Sequence, residues 1–224
     1  MIITERRPKE SARDYALRIL KDNIISLELA PGAVVSENEL SSQLELSRTP
    51  VREALIELSK SGIVEILPQK GSRIALIDYD FINEFNFLRK VLETAVVELD
   101  CEVATPEDIL ILEQNLNQQE FYLKNPSPAR LLETDDNFHR ELFRICNKMQ
   151  IYNVMKNMST HFDRVRGLSL SALKDIKIVQ DHRTILDAIK AKDKELAKAT
   201  IEKHLSRYKL DEEVIRQKYP HYFK

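Results

Sequence analysis

The run from Ser36 to Ile77, SENELSSQLELSRTPVREALIELSKSGIVEILPQKGSRIALI, restricts the chain more than any other segment. It reads as a short helix, a tight turn, a second helix and then two strands. Ser36 and Glu39 have the spacing of a capping box, in which a serine hydroxyl takes an orphan backbone N–H and the glutamate reaches back. Leu40 and Leu44 turn inward on the helix they start, which lasts about two turns before Leu46. The second helix opens at Ser47 or Thr49, because Pro50 suits a first turn, where its missing N–H costs nothing. Val51, Ala54, Leu55 and Leu58 give it one buried stripe, and Gly62 stops it. Ile63, Val64, Ile66 and Leu67, then Ile74, Leu76 and Ile77, flank Pro68-Gln69-Lys70-Gly71, the pattern of a two-stranded hairpin wing. Upstream, residues 10–28 repeat apolar side chains at helical spacing. Ala30-Pro31-Gly32 ends that helix, and Val34-Val35 suits a short strand.

The chemistry of this segment points to nucleic acid. Ser47, Arg48, Thr49 and Arg52 crowd the start of the second helix, where backbone N–H groups favour phosphate. Arg48 and Arg52 are four apart and share a face. Each can fork onto a guanine edge or clamp a phosphate. Thr49 can cap the helix, bond a phosphate or touch a thymine methyl. At the wing tip, Lys70 stands beside Gly71, which has no side chain to hold a minor groove away. The bland alternative is a helical hairpin with solvated arginines, as in a protein-interaction module. The capped helix, the Arg-Thr-Pro opening, the paired arginines and the basic wing together favour DNA. Charge works mildly against it: the net charge is −2, and residues 1–76 hold eleven basic and eleven acidic side chains. DNA binding therefore requires Arg48, Arg52, Lys70 and Arg73 on one surface, with Glu53 and Glu57 pointing elsewhere.

Beyond Asp80 no further strand pattern is found. Six helices are predicted, over 80–103, 106–123, 127–147, 150–169, 174–191 and 194–218. Their breaks fall at Thr105-Pro106, Asn125-Pro126, Gly167 and Asp193. Phe85, Leu88, Leu92 and Val96 form one stripe, and Leu110, Leu112 and Leu116 contribute to another. Four glycines and no tryptophan in 224 residues fit a mainly α protein. The expected architecture is an N-terminal winged helix-turn-helix over 1–77 and an all-helical bundle over 78–224. No apolar run approaches the roughly 18 residues of a membrane-spanning helix. MIITERRPKE lacks a signal-peptide core, so a cytoplasmic protein with no membrane partner is expected. Cys101 and Cys146 form no CxxC pair, and buried, reduced thiols are expected.

A second constellation lies in the helical part. Asp135 and His139 are i and i+4, so both leave one helix face. His182 shares a face with Ile185 and Ile189, and His204 lies beside Ala197 and Ile201. These faces should point inward, where an imidazole must find a partner. Three histidines and a carboxylate suit a divalent metal. Each histidine taken singly is more often a hydrogen-bonded core residue, and spacing alone leaves both readings open. Asp136, three before His139, shares that face too.

At these residues the chain resembles a known family. Roughly 10–77 is similar to the GntR family of bacterial transcription regulators, from Glu39-Leu40 through SRTPVREALIEL to the Gly62 turn and the PQKGSRIA wing. The resemblance implies that Arg48 and Arg52 contact operator DNA and that Gly71 enters the minor groove. Asn38 stands where some members carry arginine, and it could still bond a phosphate or base edge. Residues 80–210 resemble the all-helical FCD ligand domain of FadR-type members, through LRKVLE at 88–93, DDNFHREL at 135–142, DHRTILDAIKAKD at 181–193 and the helix ending in His204. For metal-binding members, the resemblance implies that Asp135, His139, His182 and His204 hold the ion, whose open positions accept a small organic acid. The family's Asp-x-x-x-His spacing selects Asp135 over Asp136. The fatty-acyl-CoA-binding branch matches less well, because it lacks the metal set. The implied cofactor is a divalent metal ion, zinc ahead of nickel, iron or manganese. Arg89, in the family's arginine-x-x-leucine-glutamate pattern, is the implied anion partner, with a plain salt bridge to Glu93 as the alternative. Arg164 and Arg166 rank behind it, and His161 and His221 are read as non-ligands. The expected function is a homodimeric, effector-controlled regulator of double-stranded operator DNA, a repressor rather than an enzyme. A metal-dependent hydrolytic enzyme and a helical interaction module are the other two readings.

Overall fold

Polar caps and apolar spacing decide where each helix of the chain begins and which face it buries. In a computed structural model, residues 1–172, 176–207 and 212–224 are described. They divide into two compact units: Met1–Asp80 with Thr160–Val165 and Arg216–Lys224, and Phe81–Ser159 with Arg166–Ile215.

In the first unit, α1 (Ala12–Ile25) starts at Ser11, whose hydroxyl accepts the Asp14 N–H at 3.0 Å. Strand β1 (Val34–Val35) leads into α2 (Glu37–Leu44). Ser36 caps α2 by accepting the Glu39 N–H at 3.1 Å. The return half of the expected box is not made, because the Glu39 carboxylate faces Gln43 Nε2 at 3.5 Å. Glu45, at φ 55°, adopts the left-handed conformation that turns the chain into α3 (Arg48–Lys60). Val51, Ala54, Leu55 and Leu58 of α3 close onto Ile19, Leu20, Ile24, Leu40 and Leu44 in one core. Strands β2 (Val64–Leu67) and β3 (Gly71–Ile74) follow. The expected hairpin of β2 and β3 is formed, and β1 joins it as a third strand in an antiparallel sheet of order β1-β3-β2. Val34 pairs with Arg73, and Val64 with Ile74. The third strand has a local cause. Gly71, at φ +93°, lets β1 approach so closely that an added Cβ would meet the Val35 carbonyl oxygen at 2.6 Å.

The two C-terminal segments of this unit are tied to its end. Arg164, with no exposed surface, donates to the Ala75 carbonyl at 2.8 Å, and Ile77 bridges Phe223. Helix α4 (Tyr79–Val103) leads into the second unit. There follow α5 (Pro106–Lys124), α6 (Pro128–Ile145), α7 (Met149–Lys156), α8 (Thr160–Ala172), α9 (Ile176–Ala191), α10 (Lys194–Leu205) and α11 (Glu212–Lys218). Thr105 and Asp108 form a reciprocal capping box at the head of α5. Helix α5 packs on α6 and α9, and α9 packs on α10.

Three expectations change here. The single helix over 150–169 is two, with the break between Lys156 and Thr160, and Gly167 lies inside α8. An interior glycine costs only about 1 kcal/mol, which packing can override. The helix expected over 194–218 ends at Leu205, and α11 is separate. Part of the stretch between them lies outside the described residues. Leu110 is 54% exposed, whereas Leu112 and Leu116 are buried, because only the latter two are four apart. Among the described residues, no helix is long and apolar enough to cross a membrane.

Candidate nucleic-acid interface and metal centre

The start of α3 is dressed for an anion. Its N-cap, Ser47, makes no side-chain capping bond, and Ser47, Arg48, Thr49 and Arg52 are all exposed. A cleft of about 450 Å³ opens between α2, α3 and the wing, lined among others by Glu37, Asn38, Arg48, Arg52 and Gly71. Asn38, Arg48, Arg52 and Gly71 of the sequence-predicted set share this concave surface. Ser47, Thr49 and Lys70 are exposed but lie outside that lining. Arg52 is held loosely, its Nε 3.8 Å from Glu37, so it can exchange that partner for a phosphate or a base. Arg73 does not join the surface as a free cation, because its Nε donates to Glu65 at 2.9 Å across the strand pair. Glu57 faces Arg13 at 3.2 Å and Lys60 at 3.0 Å.

In the second unit, α6, α9 and α10 bring Asp135, His139, His182 and His204 together. One ligand atom from each lies within 4.8 Å of the others, and all four residues are buried. His204 Nε2 stands 3.2 Å from His139 Nε2 and 3.3 Å from His182 Nε2. Asp135 offers Oδ1 at 3.7 Å to His182 and Oδ2 at 3.9 Å to His139. His182 Nδ1 lies 2.8 Å from Gln119 Oε1, and Gln119 Nε2 donates to Asn115 at 2.7 Å, which fixes the amide so that an oxygen faces the ring. His139 Nδ1 lies 2.7 Å from Glu93 Oε2. The Gln119 oxygen thus favours a hydrogen on His182 Nδ1 and a lone pair on its Nε2 turned inward, whereas the His139 contact falls outside hydrogen-bond geometry and neither of its two atoms has a hydrogen-bond partner among the described residues. Burial pushes the pKa of His182 down to about 3, and burial with two neighbouring imidazoles lowers that of His204 well below its ordinary value. Burial works against ionisation of Asp135, yet Arg166, His139 and His182 hold its pKa below the usual carboxylate range. His204, whose Nδ1 has no hydrogen-bond partner among the described residues, turns Nε2 to both neighbouring rings, as a hydrogen donor in one tautomer and as a further lone pair beside the carboxylate in the other. The donor set fits a divalent metal.

The arginines sort differently from expectation. Arg89 is buried and its Nε donates to Glu93 Oε1 at 2.6 Å, the salt bridge weighed as the alternative. Arg164 belongs to the first unit, where it meets Ala75 and His161 Nδ1 at 2.8 Å. Arg166 clamps Asp135 and, at 2.5 Å, Asp136, which Lys156 also holds at 2.8 Å. Asp136 is thus turned to cations rather than to the centre. His161 lies in the first unit and His221 is exposed, so neither joins the cluster. Sequence reasoning missed Gln119 altogether and saw Glu93 only as a partner for Arg89. The i,i+4 step from Arg89 was one available clue, while Gln119 carries no motif.

Residues 84–207 match the FCD domain, and residues 14–74 match bacterial regulatory proteins, gntR family. Over 221 residues the chain is 30% identical to the HTH-type transcriptional repressor RspR of Escherichia coli strain K12, covering 98% of this chain and 97% of that one. Over 216 residues it is 32% identical to an HTH-type transcriptional regulator in an unstable DNA locus of Streptomyces ambofaciens, covering 96% and 90%. Among solved structures, E. coli McbR/YncC shares the fold at a TM-score of 0.76 and 22% identity, over 93% of this chain and 99% of that chain.

Proposed function

The chain belongs to the GntR family of bacterial regulatory proteins and carries an FCD domain, and from that premise we propose a repressor whose hold on operator DNA is set by a small carboxylate bound at a divalent metal. That it is a DNA-binding transcriptional regulator rather than an enzyme follows from its family and relatives. The repressor assignment draws on the relative named a repressor. The observation that carries the metal reading is the convergence of three Nε2 atoms beside Asp135.

In this reading Arg48 and Arg52 enter the major groove. Ser47, Thr49 and Asn38 bond phosphates or base edges, and Lys70 with Gly71 meets the minor groove. Two copies of the chain, paired as a homodimer, read the two halves of a near-palindromic operator in the cytoplasm. Asp135, His139, His182 and His204 hold the ion, zinc ahead of nickel, iron or manganese. A bound ion supplies Lewis acidity that attracts a carboxylate. Arg89 is the second cation available to that carboxylate, on the far side of Glu93 from His139. Domain boundaries near residue 77, as drawn from the sequence, put the DNA reader before the effector domain. A ligand that binds one arrangement of the dimer better than another then shifts operator affinity.

The test is binding of the zinc-loaded chain to its own upstream duplex and to a shuffled duplex, with and without a panel of small carboxylates. The reading expects tight, salt-sensitive, sequence-dependent binding that one class of carboxylate weakens. Operator affinity indifferent to every carboxylate and to metal removal would refute effector control.

A further inference from the structure

A histidine ligand has two ring nitrogens, and the partner of the rear one decides where the front one aims. In this centre the rear nitrogens are served unequally. His204 Nδ1 has no hydrogen-bond partner among the described residues and lies 3.9 Å from Asp181. His182 leans on a neutral amide, Gln119. His139 alone stands against a carboxylate at close range: its Nδ1 lies 2.7 Å from Glu93 Oε2, outside hydrogen-bond geometry, and neither atom has a hydrogen-bond partner among the described residues. Glu93 has no exposed surface, and its other oxygen takes the Arg89 Nε–H at 2.6 Å. Arg89 and Glu93 sit one turn apart on α4, and His139 sits on α6.

We infer that Glu93 is a positioning residue of the metal centre: Oε2 holds the His139 ring with its proton on Nδ1 and its Nε2 lone pair toward the ion, while Arg89 neutralises the carboxylate in a dry interior. The inference rests on the metal reading above. An arginine–glutamate pair alone would not need Oε2 turned to an imidazole, and a buried ion pair is by itself weak support for stability. The Arg89 guanidinium on Oε1 and the His139 ring against Oε2 flank the buried Glu93 carboxylate. A charged acceptor behind the ring raises the donor strength of Nε2, so His139 becomes the firmest of the three imidazole ligands. It also joins Arg89 to the ion through one side chain.

The experiment is zinc titration of the metal-stripped full chain, with Glu93→Ala and Glu93→Gln beside the parent, and cobalt(II) absorption as a report on ligand geometry. Loss of the acceptor in Glu93→Ala is expected to weaken zinc about 10- to 100-fold. Glu93→Gln should fall between that variant and the parent, because its amide oxygen still accepts from Nδ1–H without the charge. The cobalt spectrum should change in Glu93→Ala and return toward the parent in Glu93→Gln. Parental zinc affinity and cobalt spectra in both variants, with only thermal stability lowered, would overturn the inference and leave the metal reading standing. No zinc or cobalt uptake by the parent would remove both. Should Glu93→Ala fail to fold, nitrogen shifts of labelled histidine in the unaltered metal-free chain decide: a proton on His139 Nδ1 is expected, and a proton on Nε2 contradicts it.

Discussion

Arg52 in the first unit and Arg89 in the second are the same side chain under opposite conditions. Arg52 is 69% exposed and stands 3.8 Å from Glu37, whereas Arg89 is 7% exposed and locked to Glu93 at 2.6 Å. Water screens the first pair, so releasing Arg52 to a new partner costs little. The second pair is desolvated, and removing either member strands a charge in the interior. The reading face thus keeps its cations loosely held over a rigid apolar floor. The histidine centre instead fixes its groups by burial and mutual contact. One region is built to exchange partners and the other to hold a geometry.

That contrast breaks most sharply at the centre itself. His182→Ala removes a proposed ligand with no exposed surface, and His204→Ala one with almost none. Either should abolish stoichiometric zinc binding, read by titration, while the first unit keeps its fold, read by protection of its amides from exchange. Loss of protection in α1–α3 would contradict the two-unit account. Next in size is the floor beneath the reading face. Leu55→Ala, at a position 2% exposed, should cost about 2–5 kcal/mol in denaturant unfolding. A loss below about 1 kcal/mol would mean that the core under α3 is not the support described here. Arg52→Ala should leave stability within about 0.5 kcal/mol yet weaken operator binding by about 1–3 kcal/mol. An equal loss on shuffled DNA would make Arg52 a phosphate clamp rather than a base reader.

The smallest expected effect sharpens the buried side of the comparison. Asp100 has no exposed surface, and neither carboxylate oxygen has a hydrogen-bond partner among the described residues. Burial raises its pKa to about 8. The folded chain thus keeps a proton that the unfolded chain surrenders near the ordinary aspartate value of about 4. The contribution of this group to stability is whole below pH 4 and is lost as pH rises through 8. Asp100→Asn should flatten that decline and raise the melting temperature at pH 8 by a few degrees, on the order of 1 kcal/mol. A parallel pH profile for variant and parent would show that Asp100 is ionised in the fold.

Much of this was legible in the chain because the information was local. The cap at Ser36, the stripe along α3 and the breaks at Thr105-Pro106, Asn125-Pro126 and Asp193 all lie within a few residues of what they control. Gly167 misled because the helix break depends on neighbouring packing rather than on the glycine. The strand at Val34-Val35 was legible, but its place in the wing was hidden because β1 pairs with β3 across more than thirty residues. At the centre, Asp135 and His139 shared a helix face that spacing could reveal. Gln119, which orients His182 from another helix, left no pattern at all. Contacts made by folding, rather than by spacing, carry the outer layer of the site.

The measurement that bears most directly on the account is the metal content of the purified full chain, determined by elemental analysis after exhaustive dialysis, with His204→Ala beside it. The account predicts about one divalent ion per parent chain and next to none in the variant. A parent chain without bound metal, or equal metal in both, would contradict it.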